Sequence, residues 1–283
     1  SPLMYLPLQW IALLIIVIDL IGRGRIVRGP RFLLAAAALV ALVCYSPYVF
    51  GMRSLGSVDP GKHALRIVQW NVMWGGSFDE HEQWDRIEAK LIAQNADVLV
   101  LAEVPADTNK PYDLLNALGE SWHMVGHDYI GREFVYWACL RVYAKYPLRS
   151  LYTRSMPLGT LMVVEIEAPT PLRLMVVDGI SGPSDKWPLL RFVADVVRED
   201  GHIDIVCGDF NAIAQSQGFS LLSELGFSEA SSRGAAFRPT WPAIAPTFQL
   251  DHMLVGGAFG VTDVRTFYGT GSDHRGTVVD LQK

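Results

Sequence analysis

Polar residues gather at the ends of the apolar runs of this chain, and their types suit one kind of chemistry. Asn71 follows "LRIVQW" at 65–70, and Glu103 follows "DVLVLA" at 97–102. Asp209 and Asn211 follow "IDIVC" at 203–207. Asp251 and His252 sit in "LDHMLV" at 250–255, and Asp273 and His274 stand just before "GTVVDL" at 276–281. Singly, each has a plain explanation: a strand-ending turn alone accounts for Gly208, Asp209 and Asn211. Five such places along one edge of a sheet exceed what turns require. Glu103, Asp273 and Asn71 offer hard oxygen ligands, which Mg²⁺ or Mn²⁺ accepts while keeping several waters. Asp209 and Asn211, two residues apart, can aim at one attacking water. A His274–Asp251 pair fixes the imidazole tautomer and favours its protonated form. Metal, water-orienting carboxylate and cationic imidazole are the parts that in-line attack on phosphorus uses.

The elements that must hold these residues alternate. Besides the runs already named, strand-like segments lie at 134–144, 161–167 and 172–178, all short and rich in Val, Ile, Leu and aromatics. Trp84, Ile87, Leu91 and Ile92 share one helical face, and Ser77 with Glu80 suits a capping box at its start. Leu189, Leu190, Val193, Val196 and Val197 mark a second helix. "SQGFSLLSELG" at 216–226 marks a third, with Ser216 as N-cap and Gly226 as the C′ residue. No internal repeat or low-complexity run is present. The pattern predicts an α/β sandwich of mostly antiparallel pairing.

The chain has 283 residues, half of them hydrophobic. Two apolar stretches, 3–21 and 32–50, are each about 19 residues long, roughly 28 Å as helix, enough to cross a bilayer core. Between them Arg23, Arg25, Arg28 and Arg31 form a basic loop, which belongs on the cytoplasmic side. The expectation is a transmembrane hairpin over 1–50, a linker over 51–62, and a domain over 63–283 outside the cytoplasm of a bacterial plasma or inner membrane. Asp19, four residues before Arg23, suits an interfacial ion pair. Of 24 Lys+Arg and 29 Asp+Glu, four Arg and one Asp precede residue 51, so the rest carries a formal charge of −8. A domain of that charge does not draw polyanions by its bulk field. Cys44, Cys139 and Cys207 show no zinc-type spacing, and a disulfide and buried thiols are both open.

In order along the chain come "QWNV" at 69–72, "LAEV" at 101–104, "YAKYPL" at 143–148, "GDFNA" at 208–212, "PTWP" then "QLDHMLV" within 239–255, and "SDHRGTVVDL" at 272–281. Together they resemble the endonuclease/exonuclease/phosphatase superfamily, in a membrane-anchored, bacterial-type form. That metal-dependent fold is shared by deoxyribonucleases, exonuclease III-type enzymes, sphingomyelinases and inositol-polyphosphate phosphatases. The resemblance implies a four-layered α/β sandwich of two packed mixed, mainly antiparallel sheets flanked by helices. It implies Mg²⁺ or Mn²⁺ held by Glu103, with Asn71 and Asp273 nearby. Asp209 would orient or activate water, Asn211 would position water and phosphate, and His274, supported by Asp251, would contact the scissile phosphate. The family pattern often has a His where this chain has Ile180, and Asp178, Ser181 and Lys186 are the polar substitutes at hand. The implied activity is phosphoester hydrolysis, with a phospholipid headgroup or nucleic acid as substrate. The lipid bilayer is the partner of residues 3–50, and no protein partner is expected. A catalytically weakened binding module is the alternative. Trp74, Phe78, Trp187 and Trp241 fall in loops near the motifs, either packing over sheet edges or meeting lipid.

Overall fold

Alternation of apolar side chains sets the architecture of the computed structural model, which describes residues 65–76, 83–105, 114–130, 137–182, 184–233 and 238–283, together with Val17 and Leu39. In β2 (Val98–Ala102), Val98, Val100 and Ala102 enter one buried cluster while Leu99 and Leu101 enter another. Successive side chains of a strand point to opposite faces, so β2 is buried on both. The same holds for β1 (Leu65–Asn71), where Ile67 faces the first cluster and Val68 and Trp70 the second.

Two six-stranded sheets result. One runs β11 (Gly260–Phe267), β12 (Gly276–Gln282), β1, β2, β4 (Trp137–Ala144), β3 (His123–Ile130). The other runs β5 (Leu148–Met156), β6 (Gly159–Ile166), β7 (Leu172–Gly179), β8 (Ile205–Asp209), β10 (Asp251–Val255), β9 (Ser228–Glu229). Each contains one parallel pair at its centre, β1 with β2 and β7 with β8, and is otherwise antiparallel. A helix bridges each parallel pair: α1 (Trp84–Ile92) in the first sheet and, beyond the short α2 (Leu114–Leu118), α3 (Trp187–Asp200) in the second. A final short helix, α4 (Phe219–Glu224), follows β8.

The inner layer joins Ile67, Val100 and Val142 to Met162, Val164, Val176 and Cys207. Outside it, Trp84, Ile87 and Leu91 of α1 cover Val68, Trp70 and Leu101. Leu189, Leu190, Val193, Val196 and Val197 of α3 cover Val163, Met175, Val177 and Val206. Each such side chain contributes about 1.5–3 kcal/mol on full burial. The four layers agree with the expected sandwich.

Gly208 shows how tightly β7 and β8 approach. Its φ is +137°, and a Cβ there would lie 1.9 Å from the Val177 carbonyl oxygen. Its place in "GDFN" thus answers to backbone contact as well as turn chemistry. Gly208→Ala is expected to lose about 3 kcal/mol or more by urea denaturation. A loss below about 1 kcal/mol would mean the β7–β8 approach relaxes without difficulty.

Several expectations are corrected. β3, β5, β9 and β11 were not anticipated. Ser216 does not cap α4; Gly218 holds the N-cap position, and the Ser216 carbonyl instead accepts from Phe219 N. Gly226, with φ +88°, does follow the C-cap Leu225. Ser77, Phe78 and Glu80 lie outside the described residues, and α1 starts after Gln83. Cys139 and Cys207 are buried thiols, not joined in a disulfide.

The expected integral membrane location is also corrected. Among the described residues no helix is long and apolar enough to cross a membrane. The stretches 3–21 and 32–50, apart from Val17 and Leu39, and the linker 51–62 lie outside the described residues. The fold is therefore the sandwich, with no hairpin anchor assigned to it.

Candidate active site

Strand ends from both sheets meet at one rim. β1 finishes at Asn71, in register with Ala102, so Glu103 follows at once on the neighbouring strand. Asp209 ends β8 opposite Asp178 of β7 and Asp251 of β10. Asn71 Nδ2 donates to Asp209 Oδ2 at 3.0 Å, and Gln69 Nε2 donates to Asp251 Oδ1 at 2.9 Å. These two buried bonds tie one sheet to the other. Away from water each is stronger than a surface bond, and each would leave a buried carboxylate oxygen orphaned if lost.

His274 arrives on the loop before β12, and that loop is fastened to β1. Ser272 Oγ donates to the Asn71 carbonyl at 2.6 Å and accepts from His274 N at 2.9 Å. Trp70 Nε1 donates to the His274 carbonyl at 2.9 Å. So held, His274 places Nδ1 2.7 Å from Asp251 Oδ2. Nε2 then lies 3.7 Å from Asp209 Oδ2 and 3.9 Å from Asp273 Oδ1.

The charges follow from this packing. Burial disfavours the His274 cation, but Asp251 and then Asp209 outweigh it and lift its pKa to about 10. The ring is an imidazolium at neutral pH. Burial also opposes ionisation of Asp251, yet the His274 charge and hydrogen bonds from His274, Thr240 and Gln69 keep its pKa below the usual value. For Asp209 burial wins: the pKa rises to about 7, with relief from His274 and Asn71 and further strain from Asp251 and Glu103. Glu103 is raised chiefly by burial, then by Asp273 and Asp251, against Asn71 and His274.

Backbone strain collects at the same rim. Met73, Trp74, Glu103 and Asn211 have φ of +44°, +54°, +53° and +47°. For such residues this costs about 1–3 kcal/mol each and needs local support. Asn211 has it: its N donates to Asp209 Oδ1 and its Nδ2 to the Gly179 carbonyl, both at 2.8 Å. The Glu103 carbonyl accepts from Trp74 N at 2.7 Å.

The donor set fits a divalent cation beside Glu103. Four carboxylates, Glu103, Asp209, Asp251 and Asp273, act on one another and share a single imidazolium. That leaves excess negative charge in a mostly buried place, which a hard cation with oxygen ligands relieves. Asp209, Asp251 and His274 also lie within 4.8 Å of one another. That trio is better read as a hydrogen-bonded Asp251–His274 pair with Asp209 in ion-pair range. Both Asp251 oxygens already accept bonds, and an imidazolium has no lone pair for a metal.

All seven residues expected from sequence are thus drawn to one rim: Asn71, Glu103, Asp209, Asn211, Asp251, Asp273 and His274. Of the substitutes near Ile180, Ser181 is exposed and Asp178 is buried on β7. Lys186 is buried, its Nζ donating to the Ile180 carbonyl and, at 2.8 Å, to Ser184 Oγ. Burial lowers its pKa to about 8, Asp209 opposing. Trp74 is buried, Trp187 is exposed, and Trp241 Nε1 donates to Asp273 Oδ2 at 2.9 Å. His252 turns away from the site and props the following loop, Nε2 lying 2.8 Å from the Ala212 carbonyl and Nδ1 2.8 Å from Glu229 Oε2.

Sequence reasoning missed Gln69, Ser272 and Thr240, whose Oγ1 accepts from Asp251 N at 3.2 Å. A signal existed for Gln69. Period two puts it on the inner face with Ile67, where a polar side chain needs a partner from the opposite sheet.

Solved structures share this fold. The human Nocturnin catalytic domain with bound sulfate matches with a TM-score of 0.58 at 18% identity, over 80% of this chain and 95% of that one. Mannosyl-6-phosphatase Bt3783 of Bacteroides thetaiotaomicron matches with 0.56 at 14% identity, over 77% and 100%. D. rerio TDP2 complexed with a single-strand DNA product matches with 0.58 at 14% identity, over 78% and 100%. A comparison with curated protein sequences returns no match. The model of the Endonuclease/Exonuclease/phosphatase family matches residues 68–274, from inside β1 to His274, so the chain belongs to that family.

Proposed function

We propose that the protein is a divalent-metal-dependent phosphoester hydrolase, a phosphodiesterase, using water as nucleophile. One observation carries this reading: a buried Asp251–His274 pair at 2.7 Å, drawn from opposite sheets, aims its free imidazolium nitrogen toward Asp209. A cation and a base held side by side, with carboxylates that a divalent metal would neutralise, suit attack of water on an anionic phosphorus centre. The relatives support phosphorus chemistry, since one is named a mannosyl-6-phosphatase and another holds a DNA product.

Glu103, Asn71 and Asp273 would hold Mg²⁺ or Mn²⁺, which supplies charge neutralisation and polarises a phosphoryl oxygen. The chain's own groups do the rest. Asp209, its pKa raised to about 7, is poised to accept a proton from water near neutral pH. Asn211, pinned through its amide to the Gly179 carbonyl, holds the approach side of that water. His274 Nε2–H donates to the phosphoryl oxygen that gains charge, and Asp251 keeps the ring oriented.

The test is turnover of bis-p-nitrophenyl phosphate and single-stranded DNA by the full chain, with Mg²⁺, with Mn²⁺ and with EDTA. Hydrolysis that requires metal and is abolished by EDTA is expected. Metal binding without turnover of either substrate would instead favour the weakened binding module.

A further inference from the structure

A short apolar loop stands at the open corner of this site. Asp273 is far more exposed than the trio beside it: its side chain is 49% exposed, against 7% for His274 and 0% for Asp251 and Asp209. The loop Trp241–Phe248 is fixed to Asp273 twice, by Ala243 N donating to its carbonyl at 2.7 Å and by the Trp241 indole on its carboxylate. It is also closed on itself. Thr247 N and Phe248 N both donate to the Trp241 carbonyl at 2.9 Å, and the Trp241 and Phe248 rings lie 6.0 Å apart. Behind it, Arg275 Nε donates to the Ala243 carbonyl at 2.8 Å.

Ile244, next to the anchored Ala243, is 85% exposed. Residues 241–250 read "WPAIAPTFQL", without one charge, whereas residues 51–283 carry a formal charge of −8. A single exposed isoleucine is unremarkable on a protein surface. Here it follows directly on Ala243 in a charge-free loop that is bonded twice to Asp273, so it stands beside the exposed carboxylate of the site. Such a lip offers apolar contact at low ordering cost, because its backbone is already fixed. Its own residues carry no cation for a second phosphate, and Arg275 behind it spends Nε on the Ala243 carbonyl.

Resting on the hydrolase reading, we infer that the loop Trp241–Phe248 sets substrate choice, Ile244 packing against an uncharged apolar or aromatic group esterified to the scissile phosphate. The favoured class is a phosphodiester with an apolar alcohol beside the reacting phosphorus, rather than a polyphosphate or an extended polyanion.

Ile244 projects into solvent, so its replacement leaves folding intact. Wild type, Ile244→Asn and Ile244→Leu, as full chains with Mg²⁺, are titrated by calorimetry with diphenyl phosphate and with dimethyl phosphate. Wild type is expected to bind the diphenyl ester about tenfold more tightly, the usual scale for a modest apolar contact. Ile244→Asn should erase that preference and Ile244→Leu should keep it. KM for bis-p-nitrophenyl phosphate should rise about tenfold in Ile244→Asn, with kcat little changed. Equal affinity for the two esters in wild type, no binding of either, or a preference that survives Ile244→Asn would overturn the inference. Failure of the hydrolase reading looks different: no turnover in wild type, while calorimetry still decides the role of the lip.

Discussion

Asp209→Asn and His274→Gln are each expected to slow hydrolysis of bis-p-nitrophenyl phosphate at least about a hundredfold, about 2.7 kcal/mol of transition-state stabilisation. Asp209 has no freedom to compensate: Oδ2 accepts from Asn71 and Oδ1 from Asn211. An amide there has nearly the same shape, but it turns an NH₂ toward one of those donors and cannot take a proton from water. His274 is replaced by Gln because its amide nitrogen falls where Nε2 stood and keeps a neutral donor toward the phosphoryl oxygen, although the buried Asp251 loses its cationic partner at 2.7 Å. Gln thus removes the positive charge but not the donor at that place, so its effect on turnover reports charge. The thermal midpoint of Asp209→Asn should stay close to wild type and that of His274→Gln should fall, the buried Asp251 having lost its counter-charge, so turnover is compared at a temperature where both are folded. Near-normal turnover in either variant, with the fold intact, would remove that residue from the assigned role.

The central strands and the site carboxylates were readable in sequence for one reason: both mark abrupt changes in polarity. β2 and β8 are buried at every position, and "VLVLA" and "IVC" are unbroken apolar runs with Glu103 and Asp209 close behind. The four strands that escaped notice, β3, β5, β9 and β11, are the edges of the two sheets. An edge strand has one neighbour and stays partly wet, so its sequence keeps polar residues. "LRSLYTRSM" of β5 has no buried position, and "HMVGHDYI" of β3 mixes His, Gly and Asp among its apolar residues.

Pairing was harder to read than membership. Gln69 meets Asp251 across 182 residues of sequence, and Asn71 meets Asp209 across 138. Nothing local encodes such contacts. They follow from two parallel pairs, in different sheets, ending at one rim. The apolar N-terminal stretches taught the opposite lesson. Their length and hydropathy suggested a membrane hairpin, but among the described residues no membrane-crossing helix exists.

Glu103→Gln should separate the stability of this site from its use of metal, with opposite signs. Glu103 is half-buried, and after burial the main causes that raise its pKa are Asp273 and Asp251. Without metal, its negative charge is therefore a burden on the folded state. Removing it should raise the thermal midpoint of the metal-free protein slightly. With Mg²⁺ or Mn²⁺ at a hundredfold excess over Kd, native-state binding contributes about 2.7 kcal/mol. For a domain of this size that is roughly 5–10 °C of Tm. Glu103→Gln should lose most of this shift, because a neutral amide oxygen balances a dication far less well than a carboxylate. Hydrolysis should fall with it, so the variant is expected to be the more stable protein without metal and the poorer enzyme with it. Such a trade is common where a site stores like charges for function. Differential scanning fluorimetry of both proteins, with EDTA and with each metal, gives the result directly. Equal metal-induced shifts would take Glu103 out of the ligand set. A metal-free variant less stable than wild type would show that the crowding of Glu103, Asp273 and Asp251 is not what strains the site.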